Sequence, residues 1–418
     1  MFIHRALLLF LIFPFTQIIP LASYNQPYSF LLSALIIAAF PSTVGAAPLA
    51  DRLALIWLAF LGTAMLLFEG MQQISFREIN FWLSYISPLI ITIATFRVIH
   101  LNPDLARRAL TWGIGAWVTL AVLQQFVDPG LLGFLVSSDS ALGADIAASG
   151  RGLLAFAPEP THHGFHMLIM AATLAVLGGP RWVVVIAVLA AIVLARSSSA
   201  VAALGMGFTI WALMHPVKRS WFFISLASML LLAAVAPMIL GEEHRITNLI
   251  LALQANGKDI ILEDYSVNIR ISGLIMPLLT AWESGLLPQG ISLERWLDIR
   301  LDILSRNLWI ADLSLAGPAS GFGLILLQSG FLGVPTIIYF VHRLIRVFAH
   351  SIEGILTASV FFVFMSQLYL ATPGFSLILA AIMYRVSLNR AGKLEKPLSS
   401  TRPDQTQSEM TTTDQSTG

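Results

Sequence analysis

The residues Arg151-Gly-Leu-Leu-Ala-Phe-Ala-Pro-Glu-Pro-Thr-His-His-Gly-Phe-His166 gather an arginine, a glutamate and three histidines in a chain of which only 11% is charged. A helix is predicted to start here, with Pro160 at its first turn and Glu159 and Thr161 near the cap. Its free amides and positive dipole end favour an anion. The planar fork of Arg151 beside them donates two bonds to one phosphate group. The same arginine also fits a bland role, reaching to lipid headgroups from a helix end. His162 and His166 are four apart and share one helix face. That spacing admits a metal pair, but no third ligand is evident and no zinc signature is matched. Glu159 and the histidines also suit general acid or base work, or structural hydrogen bonding at a helix mouth.

Two more arginines belong with this segment. Arg196 ends an apolar run of about 16 residues, roughly 24 Å of helix, against a hydrocarbon core of about 30 Å. A charge held below the membrane surface must face protein, water or ligand. Ser197, Ser198 and Ser199 follow it and supply hydroxyls to an opened backbone. The bland reading of this turn is local thinning of the bilayer. Arg270, in Asn268-Ile-Arg-Ile-Ser-Gly273, precedes an apolar stretch; the position admits a place at the same site, and its bland reading is an ordinary loop arginine. Arg245, Lys258, Arg295, Arg300 and Arg306 read as solvated or paired with nearby acids.

The elements that must position these residues follow from composition. The chain has 418 residues, 57% of them hydrophobic, with a mean hydropathy of +0.80. Those values exclude an ordinary soluble domain and predict an all-α, polytopic membrane helix bundle. A net charge of +1 gives no case for nucleic acid, and the absence of cysteine removes disulfides, thiolate metal sites and cysteine nucleophiles. The apolar start after Arg5 reads as a retained helix, not a cleaved signal.

The length rule for crossing hydrocarbon, roughly 20 apolar residues, predicts about twelve spans. They fall near 6–22, 28–46, 53–70, 79–98, 108–127, 160–178, 181–196, 199–214, 220–240, 317–341, 352–371 and 373–388. The run 181–214 is too long for one span and breaks at Arg196-Ser-Ser-Ser199. With the N-terminus in the cytoplasm, Arg52, Arg97, Arg107, Arg108, Arg181, Lys218, Arg219, Arg343 and Arg346 all fall on cytoplasmic connections, as the positive-inside rule requires. Both termini are then cytoplasmic. Two outer loops are long, about 128–159 and about 241–316; the second lies between helices 9 and 10 and exceeds ordinary connections. Within it, 246–253 and 271–287 are apolar enough to dip into or lie on the membrane. Residues 296–309 are amphipathic with a tryptophan at each end, as suits an interfacial helix. Residues 1–392 thus form the membrane domain, and 393–418 a Ser/Thr/Gln-rich tail predicted to be disordered.

These pieces resemble the bacterial O-antigen polymerase and ligase superfamily of membrane glycosyltransferases. Arg151 through Gly152, Phe156 and Glu159-Pro160-Thr161 is similar to its Arg, Gly, aromatic, Glu-Pro pattern. Leu194-Ala-Arg-Ser-Ser-Ser-Ala200 resembles its Ser-Arg stretch between two middle spans. Arg270, the distant Trp282 and Leu287-Pro-Gln-Gly290 resemble its large-loop pattern, and Leu324-Ile-Leu-Leu-Gln-Ser-Gly-Phe-Leu-Gly333 resembles the helix that follows. The likeness covers about 150–345 and the topology.

The resemblance implies an enzyme at the outer face of the bacterial inner membrane. Its substrate is an undecaprenyl-pyrophosphate-linked glycan drawn from the membrane lipid. Arg151, Arg196 and Arg270 become the residues that hold the pyrophosphates or stabilise the one that departs, with His162 and His166 at the substrate and Glu159 and His163 as candidate bases. No divalent metal or other cofactor is implied. A flippase and a chain-length-regulating membrane protein are the implied partners. Two positions depart from the pattern. Ligases of the superfamily carry a histidine at the end of the large loop, where this chain reads Ala316-Gly-Pro-Ala-Ser-Gly321. The usual acid in the next helix is replaced by Gln328. The first departure favours a polymerase of lipid-linked repeats over a ligase; the second leaves the base unassigned. The rival from another class is a transporter or lipid flippase, disfavoured by the lack of internal repeats and by arginines gathered at one face.

Overall fold

In the computed structural model the described residues are 2–18, 26–68, 76–136, 152–214, 265–306, 320–349 and 351–390, with isolated positions between 223 and 257. Arg151, the expected span 220–240, Trp309, most of the rest of the expected outer loop and the tail 393–418 lie outside them.

All regular secondary structure among the described residues is helical, with no strand. In chain order the helices are α1 (Phe2–Ile12), α2 (Tyr28–Ala39), α3 (Ser42–Ala46), α4 (Leu49–Phe68), α5 (Phe76–Leu101), α6 (Pro103–Phe126), α7 (Pro160–Val176), α8 (Arg181–Leu189), α9 (Ser198–Met214), α10 (Tyr265–Glu283), α11 (Leu293–Ser305), α12 (Gly321–Ser329), α13 (Val334–Val341), α14 (Glu353–Ser366) and α15 (Pro373–Arg390). Three helical runs, Leu49–Phe68, Glu78–Leu101 and Gly321–Arg346, are long and apolar enough to cross a membrane. Helices also stand at the other expected spans within the described residues, but several are shorter than predicted. α1 and α2 have 11 and 12 residues, about 16–18 Å at the helical rise. The break predicted at Arg196 is present: α8 continues as a π turn over Ala190–Leu194 and α9 begins at Ser198. Phe60, Trp112, Trp182 and Ile338 point outward from the bundle. Rings and aliphatic chains displayed in this way suit hydrocarbon and not water.

α7 is the central helix. Almost all of its residues are buried, and it packs on α6, α8, α9, α14 and α15. A helix apolar all round belongs inside a bundle. The candidate segment is therefore the mouth of the most enclosed helix among the described residues.

Long-range bonds sort the two ends of the bundle. At one end, Arg107 donates to Leu177 O, Trp211 donates to Ser351 O and His100 lies against Tyr384. The charge pattern predicts this end to be cytoplasmic. At the opposite end, Leu153 N bonds Leu194 O, Gly321 N bonds Leu368 O and Gln17 N bonds Leu135 O.

α10 and α11 form a helical hairpin within the expected outer loop. α10 ends where Leu286 N bonds Ala281 O, with Gly285 and Leu286 both left-handed, the geometry that satisfies last-turn carbonyls. α11 is capped by the Ser292 side chain, which accepts from Arg295 N. The amphipathic helix expected over 296–309 thus appears over Leu293–Ser305, with Trp296 turned inward against Met276 and Leu327. The turn of the hairpin docks on a break in the run Gly321–Arg346. Gln289 N bonds Leu327 O, Gly290 N bonds Gln328 O and Phe331 N bonds Leu286 O. Gly330 makes this docking possible. It sits at φ +54°, and a Cβ there would stand 2.2 Å from Leu286 O.

Candidate functional site

The strand-like entry to α7 is held by backbone bonds. Residues 152–154 run beside the Leu194–Arg196 turn, with Leu153 N bonded to Leu194 O. Gly152 at φ +107° lies so close to this turn that a Cβ would stand 2.2 Å from Ala195 O and 3.2 Å from Arg196 Cβ. Only glycine accommodates both the dihedral and the approach. Ala155 turns at φ +50°, and Gln124 fixes it: Ala155 N donates to Gln124 Oε1 at 2.7 Å, and Gln124 Nε2 donates to Ala155 O and Leu131 O. Glu159 is the extended N-cap residue, and its side chain does not cap the helix.

The three histidines are placed unequally. His163 is wholly buried and its Nδ1 donates to Leu153 O at 2.8 Å. His166 is 2% exposed and its Nε2 donates to Ile12 O at 2.8 Å. Carbonyls only accept, so these bonds fix one tautomer on each neutral ring. Both rings pack on Trp117. They tie the mouth of α7 to its entry strand and to α1, inside the bundle. His162 is the outward member. It lies 4.0 Å from the Glu159 carboxylate and feels the charge of Arg270. Of the pair His162 and His166, the second is held through its Nε2 to Ile12 O. Among the described residues no three His, Asp or Glu side chains converge.

Arg270 reaches this mouth from 109 residues away. Its Nη2 donates to Thr161 Oγ1 at 2.8 Å. α10 thereby sets a guanidinium against the first turn of α7, beside Glu159 and His162. Arg196 is exposed, and its backbone adopts φ +45°. A non-glycine residue in this region costs roughly 1–2 kcal/mol, and such strain gathers at functional positions. Buried Ser197 accepts from Ala200 N, which starts α9. Arg151 lies outside the described residues; its chain neighbour Gly152 is the residue packed on the Arg196 turn.

Thr161 is a site residue that spacing did not single out, because its role appears only when Arg270 arrives. Gln328 is buried and accepts from Tyr85 OH at 2.8 Å. It therefore ties α12 to α5. The expectation for Arg306 is met: it forms an ion pair with Glu283 at 2.9 Å, joining the two arms of the hairpin. Those bonds hold the Glu283 carboxyl below the usual carboxylate range.

The arrangement offers a cationic mouth at one end of an apolar bundle, with one carboxylate at its edge. Such a mouth can hold an anionic headgroup whose chain lies in hydrocarbon. Protein-family models, curated proteins and solved structures were compared with this chain, and none matches it.

Proposed function

We propose that this protein is a membrane glycosyltransferase that polymerises undecaprenyl-pyrophosphate-linked oligosaccharide repeats into a surface polysaccharide. It acts at the outer face of the bacterial inner membrane, with both termini in the cytoplasm and about twelve spans. The observation that carries this reading is the contact of Arg270 with Thr161. It joins two distant segments, each chosen for an arginine motif, at one helix mouth.

In the reaction a sugar hydroxyl of the incoming unit attacks the anomeric carbon of the growing chain. The new glycosidic bond forms as the bond from that carbon to the pyrophosphate oxygen breaks. Undecaprenyl pyrophosphate leaves with the bonding electrons. In this reading Arg270, Arg196 and Arg151 are the cations that offset the developing negative charge, and fixed cations in a water-poor setting lower the energy of that step. Glu159, 41% exposed at the rim, accepts the proton from the attacking hydroxyl.

The test is genetic. In the source bacterium, deletion of the gene should leave surface glycan as single capped repeats on a gel, and complementation with Arg270→Ala or Arg196→Ala should fail to restore the ladder. Complete loss of glycan from lipid A would indicate a ligase instead. A normal ladder in the deletion strain would sink both enzyme readings and leave the transporter.

A further inference from the structure

At the end of the bundle opposite the arginine mouth, Asp51 and Arg343 meet in the interior. Arg343 Nη2 lies 2.6 Å from Asp51 Oδ1, with the two side chains 5% and 0% exposed. The Tyr339 hydroxyl donates to the same oxygen, and the guanidinium lies over the Tyr339 ring at 5.5 Å. Asp51 opens α4, whereas Arg343 sits in a π turn, His342–Arg346, that extends α13. Asp51 Oδ2 and Arg343 Nε have no hydrogen-bond partner. A buried pair left incompletely satisfied adds little net stability relative to well-packed apolar side chains. Stability alone therefore gives no reason for it.

Orientation does give one. Apolar helices in hydrocarbon slide and rotate at small cost, because lipid tails are as apolar as leucine; polar contacts fix their register. The run Gly321–Arg346 needs such fixing. It is interrupted by a 3-10 turn at Gly330–Gly333, and that break is where the hairpin docks. Its polar contacts form a ladder. Asp51 holds Tyr339 and Arg343, Trp57 Nε1 bonds Leu332 O at 3.1 Å, and Tyr85 bonds Gln328. Above these come the backbone bonds to the hairpin turn. The charged rung is the only ion pair between α4 and the run Gly321–Arg346 among the described residues.

We propose that Asp51 and Arg343, closed by Tyr339, are a positioning pair. They fix the rotation and height of α13 and, through the Gly330 break, the seat of the α10–α11 hairpin. This inference goes beyond the glycosyltransferase reading and does not depend on it.

The chain has no cysteine, so two introduced cysteines are unique labelling sites. Spin labels at Phe60→Cys on α4 and Leu287→Cys on the hairpin turn, both exposed positions, report the α4-to-hairpin distance by pulsed electron resonance in lipid nanodiscs. With Asp51 and Arg343 intact one narrow distance distribution is expected. In the double variant Asp51→Leu/Arg343→Met, which leaves no unpaired charge behind, the protein should insert and melt no lower than its parent. Its distance distribution should broaden or split. A single narrow distribution unchanged from the parent would overturn the proposal. Failure of the double variant to insert would overturn it too, since the pair would then serve folding itself.

Discussion

The two ends of this molecule handle charge in opposite ways. At one end Asp51 and Arg343 are closed off from solvent and bonded to each other. At the other end Arg196 is exposed on a strained backbone, and half-buried Arg270 donates to the Thr161 hydroxyl at the helix mouth. The first arrangement spends charge on geometry. The second keeps positive charge where a ligand can reach it. Counting charged residues treats both ends alike; burial and partner chemistry tell them apart.

Mutation should separate them. Asp51→Ala or Arg343→Ala strands an uncompensated buried charge and should cost about 3–5 kcal/mol, seen as a large drop in thermal midpoint or loss of inserted protein. Arg196→Ala should change stability by no more than about 0.5 kcal/mol, as expected for an exposed side chain. It should nevertheless abolish chain extension. Arg196→Gly sharpens the contrast. It removes the left-handed penalty and should stabilise by about 1 kcal/mol, measured by thermal unfolding, while activity is lost.

The second break is at the glycines. Gly330→Ala and Gly152→Ala place a Cβ 2.2 Å from Leu286 O and Ala195 O at positive φ, and each should cost about 1–3 kcal/mol. Gly330→Ala should raise hydrogen exchange in the hairpin turn, and Gly152→Ala in the residues flanking Arg196. Equal exchange in both regions for both variants would mean that the two seats are not separate.

Much of this was legible in the sequence. The apolar lengths foretold helices across the described residues, and the Arg196-Ser-Ser-Ser199 break lies where charge interrupts the run 181–214. The amphipathic period near Trp296 foretold α11. What stayed hidden depends on long-range contact. Asp51 and Arg343 are 292 positions apart in sequence, and Arg343 resembles any basic residue at a cytoplasmic helix end. His163 and His166 look reactive by type, but the Trp117 floor and the Leu153 and Ile12 carbonyls that receive their protons are not readable from spacing. Thr161 has no signal of its own until α10 folds back.

The smallest effect concerns the hairpin. Glu283 is held below its ordinary range by Arg306, so the pair contributes stability above the usual carboxylate range. That contribution fades as pH falls through the lowered value. Hydrogen exchange in α10 and α11 should rise slightly on acidification, and Glu283→Gln should remove the pH dependence. The α4–α13 contact should not respond to Glu283→Gln.

The central claim is that the mouth of α7 seats a pyrophosphate. Its most direct test is equilibrium binding of undecaprenyl pyrophosphate to the purified protein in nanodiscs, with Arg270→Ala and Arg270→Lys beside the parent. Losing a charge-assisted bond is worth roughly 1.5–3 kcal/mol, so Arg270→Ala should weaken binding by about tenfold to a hundredfold. Arg270→Lys should recover only part, because an ammonium lacks the planar fork. Equal affinity in all three proteins, with α7 and the hairpin intact, would contradict the account.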